Sequence, residues 1–75
     1  MNYEYNKNIY VKIKLHDPTS PEVVVRKDLI ATMLERYNDD NGKPMVCIGL
    51  EGFQKYYYCY TSLKQMLEEM EEFTL

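Results

Sequence analysis

Ile9, Val11, Ile13 and Leu15 alternate with Tyr10, Lys12 and Lys14, the period of two that marks a strand with one buried and one wet face. Turn formers follow at His16-Asp17-Pro18-Thr19-Ser20-Pro21, and the β-branched run Val23-Val24-Val25 within Glu22 to Arg26 predicts a second strand. The two should pair as a hairpin. From Asp28 the period changes: Leu29, Ile30, Met33, Leu34 and Tyr37 fall on one side of a helical wheel, with Asp28 placed to cap the free amides. This predicts a helix over 28–37, ended by Asn38-Asp39-Asp40-Asn41-Gly42-Lys43-Pro44.

The second half repeats the order. The apolar run Met45 to Leu50 and the aromatic run Lys55 to Tyr60 read as strands, joined at Glu51-Gly52-Phe53-Gln54 with Gly52 suited to a two-residue turn. Ser62 and Gln65 form a capping-box pair, and Leu63, Met66, Leu67, Met70 and Phe73 recur at helical spacing to the C-terminus. The expectation is one α+β domain over 1–75 of order ββαββα, a four-stranded sheet with two helices packed on one face. Tandem ββα halves, about 9–38 and 45–75, follow from a shift of 34 positions that sets Leu29 on Leu63.

A two-residue turn at Gly52-Phe53 places residues whose numbers sum to 105 opposite one another. Val46, Ile48, Leu50, Tyr57 and Cys59 then face the core, while Met45, Cys47, Gly49, Tyr56, Tyr58 and Tyr60 face away. A one-residue change in loop length reverses the assignment. The tyrosine row reads in two ways: as cross-strand packing that stiffens the hairpin, or as a contact surface, since tyrosine offers a large, stiff, amphipathic area.

Composition narrows the function classes. The chain has 75 residues, 45% of them apolar and 28% charged, enough for one hydrophobic core. A core of this size supplies only about 3–5 kcal/mol without staples, which makes a homodimer an expectation. No stretch approaches a membrane span and no basic leader precedes an apolar run, so the expected setting is cytoplasmic. The net charge is −3, and the acidity is C-terminal: residues 44–75 hold two Lys/Arg against five Asp/Glu. That balance disfavours direct binding of nucleic acid or anionic membrane.

Catalytic and metal chemistry finds no pattern. Cys47, Cys59 and His16 are too few for a zinc site, and the two thiols are expected free, on opposite faces. His16 has no nucleophile spaced to it, and the Asn38 to Gly42 loop lacks the carboxylates of a calcium loop. No cofactor, metal or enzymatic activity is expected. Two surfaces remain as candidates for a partner: Tyr56, Tyr58 and Tyr60 with Met45, and the carboxylates Glu68, Glu69, Glu71 and Glu72, expected on the last helical turns. The alternative is a small ligand or nucleotide on Tyr58 and Tyr60 with Lys12, Lys14 and Arg26 nearby, in a pocket that a dimer interface would close.

Short length, an acidic C-terminal helix, the strand Tyr56-Tyr57-Tyr58-Cys59-Tyr60 and the absence of catalytic residues give a family likeness. Gly42 to Leu67 resembles the compact hairpin-then-helix of small phage-encoded inhibitors, which include anti-CRISPR proteins and phage inhibitors of uracil-DNA glycosylase. The resemblance implies a protein-interaction module that inhibits a host or defence nucleic-acid enzyme by direct contact. It carries over no individual residue.

Overall fold

The computed structural model describes residues 9–74. The alternation at its start forms β1, Ile9–Lys14, which turns back into β2, Glu22–Arg26. They pair antiparallel with Tyr10 opposite Arg26 and Lys14 opposite Glu22. A 3₁₀ turn at Lys27–Leu29 leads to β3, Ile30–Tyr37, followed by β4, Pro44–Leu50, and β5, Tyr56–Cys59. The helix α1, Leu63–Glu69, and β6, Glu71–Thr74, complete the described chain. The strands form two three-stranded antiparallel sheets, ordered β2-β1-β6 and β3-β4-β5. Among the described residues the domain is mostly β, with six strands and one α-helix, which overturns the expected four-stranded sheet with two helices.

The predicted helix over 28–37 is the strand β3. A bulge explains the misreading: Ile30 pairs with Leu50, but Thr32 pairs with Gly49, so one extra residue is inserted at Ala31. The inward positions therefore run Ile30, Met33, Glu35, all partly buried. The first spacing is three, which mimics a helical turn. With β4 paired along the whole of β3, sheet pairing overrides the helical propensity of Met-Leu-Glu-Arg. The first half thus ends on a strand, and the two halves do not share a ββα pattern.

The second helix begins as expected, with Ser62 Oγ accepting from Gln65 N at 3.1 Å. It stops at Glu69, and Met70 is already extended at φ −69°, ψ 136°. Glu68 and Glu69 sit at the negative end of the helix dipole with no basic residue in the last turn, so further helix is disfavoured. The alternative is the free edge of β1, where Tyr10 pairs with Phe73 and Lys12 with Glu71. The Tyr10 and Phe73 rings stack at 6.0 Å and Lys12 Nζ lies 3.4 Å from Glu71 Oε2.

The core lies between the sheets. Val11, Ile13, Leu15 and Val25 meet Val46, Ile48, Leu50 and Cys59, and Met66 of α1 is fully buried among them. The chain from β2 through the 3₁₀ turn to β3 crosses from one sheet to the other, where Glu51 N donates to Leu29 O at 2.7 Å. At the opposite corner Tyr60 N donates to Leu15 O at 2.8 Å and Cys59 Sγ to Lys14 O at 3.1 Å. The result is two sheets tied together at two corners around one core. Because α1 inserts Met66 on the inner side, no described element covers the outer face of β3-β4-β5.

Candidate binding groove

The outer face of the second sheet is built from three cross-strand rows. Thr32, Gly49 and Tyr56 form the first, and Leu34, Cys47 and Tyr58 the second. Arg36 and Met45 pair in the third, beside Tyr60. Small residues on the central strand and large ones on its neighbours make a groove of about 520 Å³, with Cys47 on its floor. One wall is Thr32, Leu34 and Arg36; the other is Tyr56 and Tyr58. Leu34 is 52% exposed, Tyr56 57% and Tyr58 43%, so this face keeps a contiguous strip of apolar and aromatic surface in water.

Gly49 shapes the groove. It is buried although it points outward, because Thr32 and Tyr56 close over it. A Cβ there would lie 2.6 Å from Thr32 Oγ1 and 3.0 Å from Tyr56 Cε1. The tyrosine ring therefore lies down across the strand at this row, a close approach that only glycine permits.

The hairpin pairs in the expected register, with Val46 opposite Cys59, Cys47 opposite Tyr58 and Gly49 opposite Tyr56. The turn differs: Phe53 N donates to Leu50 O at 3.2 Å and Gly52, at φ +80°, is the third residue of that turn rather than the second. Tyr57 also differs, for it stays 37% exposed at the rim with Leu29, Leu50 and Phe53 instead of entering the core.

The four candidate carboxylates do not form one helical face. Glu68 and Glu69 are in α1, while Glu71 and Glu72 are in β6. Three of them are held by this chain's own side chains: Glu69 Oε1 accepts from His16 Nε2 at 2.7 Å, Glu71 pairs with Lys12, and Glu72 Oε2 accepts from Lys27 Nζ at 2.8 Å. The His16 hydrogen bond is the main reason the Glu69 carboxyl lies below the ordinary glutamate range. Lys12 is further occupied by Glu22 at 3.8 Å, and Arg26 Nε donates to Asp28 Oδ1 at 2.7 Å.

Lys12 and Arg26 thus belong to the first sheet and are not brought to Tyr58 and Tyr60. Lys14 comes nearer through its backbone, whose carbonyl accepts from the Cys59 thiol, while its charge acts on Glu69. The cation in the groove itself is Arg36, which has no ion pair among the described residues. The sequence pattern hid it by assigning 28–37 to a helix. Reading the same residues as an outward row Thr32, Leu34, Arg36 would have found it.

Glu35, on the inner side of β3, was also missed. Its Oε2 accepts from Leu63 N at 2.8 Å across 28 residues of sequence and fixes the first turn of α1. Cys47 and Cys59 are both free, the first on the groove floor and the second buried in the core, where desolvation pushes its thiol up. Among the described residues no three His, Cys, Asp or Glu side chains converge, and no buried side-chain polar atom lacks a partner. Among them, too, no helix is long and apolar enough to cross a membrane.

Fold and groove together define a small two-sheet β domain whose distinctive surface is aromatic and open. Comparison with protein-family models, with curated proteins and with solved structures finds no match.

Proposed function

We propose that this chain is a non-catalytic protein-interaction module that engages its partner through the groove between Leu34 and Tyr58. The observation that supports this reading is the exposed apolar row Leu34, Cys47, Tyr58 on a sheet face that no described element covers. Aromatic side chains anchored on a rigid sheet lose little rotamer freedom on binding, which suits them to act as interface anchors. A cytoplasmic setting, where both thiols stay reduced, fits the two free cysteines.

As an inhibitor of a host or defence nucleic-acid enzyme, the chain would act by occupying a protein surface with this face. Acidic mimicry of nucleic acid is the weaker mode, because Glu69, Glu71 and Glu72 are already engaged by His16, Lys12 and Lys27 of this chain. Capture from the native host with the parent chain and with Leu34→Asp/Tyr58→Ala in parallel tests the reading. The partner should be retained by the parent and lost from the double variant while the far-ultraviolet dichroism is unchanged. Retention by a folded double variant would move the interface elsewhere.

A further inference from the structure

The groove has dimensions and charge that specify its occupant more closely, on the reading that it is the interaction site. Its walls stand on β3 and β5, two strands apart, hence roughly 9–10 Å between backbones. A helix, about 10–12 Å across with its side chains, cannot lie between them; a single extended chain can. Along the groove, the Leu34–Cys47–Tyr58 row and the Arg36–Met45 row are separated by two strand residues, roughly 6.6 Å. That is also the separation of side chains i and i+2 on one side of an extended peptide.

The two rows differ in chemistry. Cys47 between Leu34 and Tyr58 makes an apolar seat, and the next row presents the Arg36 guanidinium without a carboxylate of its own chain among the described residues. Lys43 lies beyond it, beside Met45 and Tyr60. Lys12, Arg26 and Lys27 are matched by local carboxylates, and Asp39 and Asp40 share the β3–β4 loop with Lys43, so the positive charge inside the groove is the Arg36 guanidinium alone. A guanidinium at the margin of an apolar slot recognises a carboxylate through two parallel hydrogen bonds. One groove cation is too few to track a phosphate backbone, whose binding rests on several.

We infer that the groove binds an extended segment of a partner protein, with an apolar residue seated on Cys47 between Leu34 and Tyr58 and an Asp or Glu two positions away on Arg36. The test is selection from a random library of short linear peptides on the folded chain, repeated on Arg36→Glu, with affinities then read by fluorescence polarisation. Selected sequences should share an apolar residue two positions from an acidic one, Arg36→Gln should weaken them roughly tenfold, and Arg36→Glu should select Lys or Arg in the acidic place.

Peptides that lose binding with Leu34→Asp yet show no acidic position and ignore Arg36 overturn this inference and leave the interaction groove standing. Peptides that ignore Leu34→Asp, Tyr58→Ala and Arg36→Glu alike overturn the groove itself. The inference also falls if no peptide enriches while a single-stranded oligonucleotide binds with dependence on Arg36. It falls likewise if light scattering shows a dimer that Leu34→Asp converts to monomer, since a second copy then fills the face.

Discussion

Gly49→Ala tests the geometry on which the groove depends. The new Cβ would stand 2.6 Å from Thr32 Oγ1 and 3.0 Å from Tyr56 Cε1, against about 3.5–4.0 Å for unstrained carbon contacts. Thr32 is β-branched and stiff, so relief requires the threonine to leave its rotamer or the strands to shift. Tyr56, more than half exposed, can swing outward. Overpacking of this kind costs about 1–3 kcal/mol, and replacing a mid-strand glycine with alanine returns about 0.5–1 kcal/mol of backbone entropy. The expected net loss is about 0–2.5 kcal/mol, centred near 1, a fall of up to roughly 20 °C in thermal midpoint for a domain of this size.

The source of that loss is diagnosed by a second substitution. Thr32→Ala removes the oxygen at the shortest contact, so Gly49→Ala/Thr32→Ala should recover about 1 kcal/mol relative to additivity. Gly52→Ala is the contrast: nothing lies within 4 Å of a Cβ there, but φ is +80°. Its loss of about 1–2 kcal/mol is backbone strain that no neighbour can relieve. Thermal unfolding followed by circular dichroism, with the Tyr56 ring protons watched by NMR, reads the parent, the three single variants and the double variant. A Gly49→Ala chain as stable as the parent, with Tyr56 resonances unmoved, would show that the ring does not lie on Gly49 and would refute the sheet register drawn above.

Three further outcomes follow. Glu35→Ala removes a charge-assisted bond to Leu63 N and should cost about 1.5–3 kcal/mol, while Glu35→Gln keeps an acceptor and should cost less; equal losses in chemical denaturation would assign the effect to packing. The Glu69 carboxyl is held low chiefly by His16, and a carboxyl depressed by folding contributes stability that is present above its unfolded value and fades as pH falls through the folded one. His16→Ala should therefore raise the Glu69 midpoint in an NMR titration and reduce that acid-sensitive contribution; an unmoved midpoint would refute the pairing. Intact mass without reductant should show two free thiols, and alkylation should modify Cys47 on the groove floor well before Cys59, whose thiol is buried and pushed up. Equal rates would contradict their placement on opposite faces.

The parts of this fold that were legible in the sequence are those governed by near neighbours. The alternation at Ile9 to Leu15 survives because β1 is central in its sheet, with one face on the core. The Ser62 cap acts within one helical turn and is found where the motif places it. Register across Gly52 was legible even though the turn type was not, since the centre of a hairpin fixes pairing whatever path the loop takes around it. Failures came where a distant segment decided. Ile30 to Tyr37 has helical spacing only because a bulge separates Ile30 from Met33, and a bulge is a response to the partner strand. Met70 to Phe73 continues the apolar period of α1, but the open edge of β1 takes Glu71–Thr74 as its third strand.

The same division governs the site. Tyr56, Tyr58 and Met45 could be placed on an outer face because the β4–β5 hairpin is local. Their neighbours Leu34 and Arg36 reach that face only once β3 is a strand, and with them a row of tyrosines becomes a walled groove. The acidic candidates moved the other way. Counted along the chain, Glu69, Glu71 and Glu72 are a cluster of negative charge; folded, each meets a partner side chain 45 to 59 positions away, His16, Lys12 and Lys27 in turn, and part of that charge is matched inside the molecule. Charge counted in sequence windows ignores such pairings, so an acidic C-terminal segment is weak ground for a basic partner. Arg36 argues in the opposite direction with a single residue, because what a partner meets is charge left unmatched at the surface rather than charge summed over the chain.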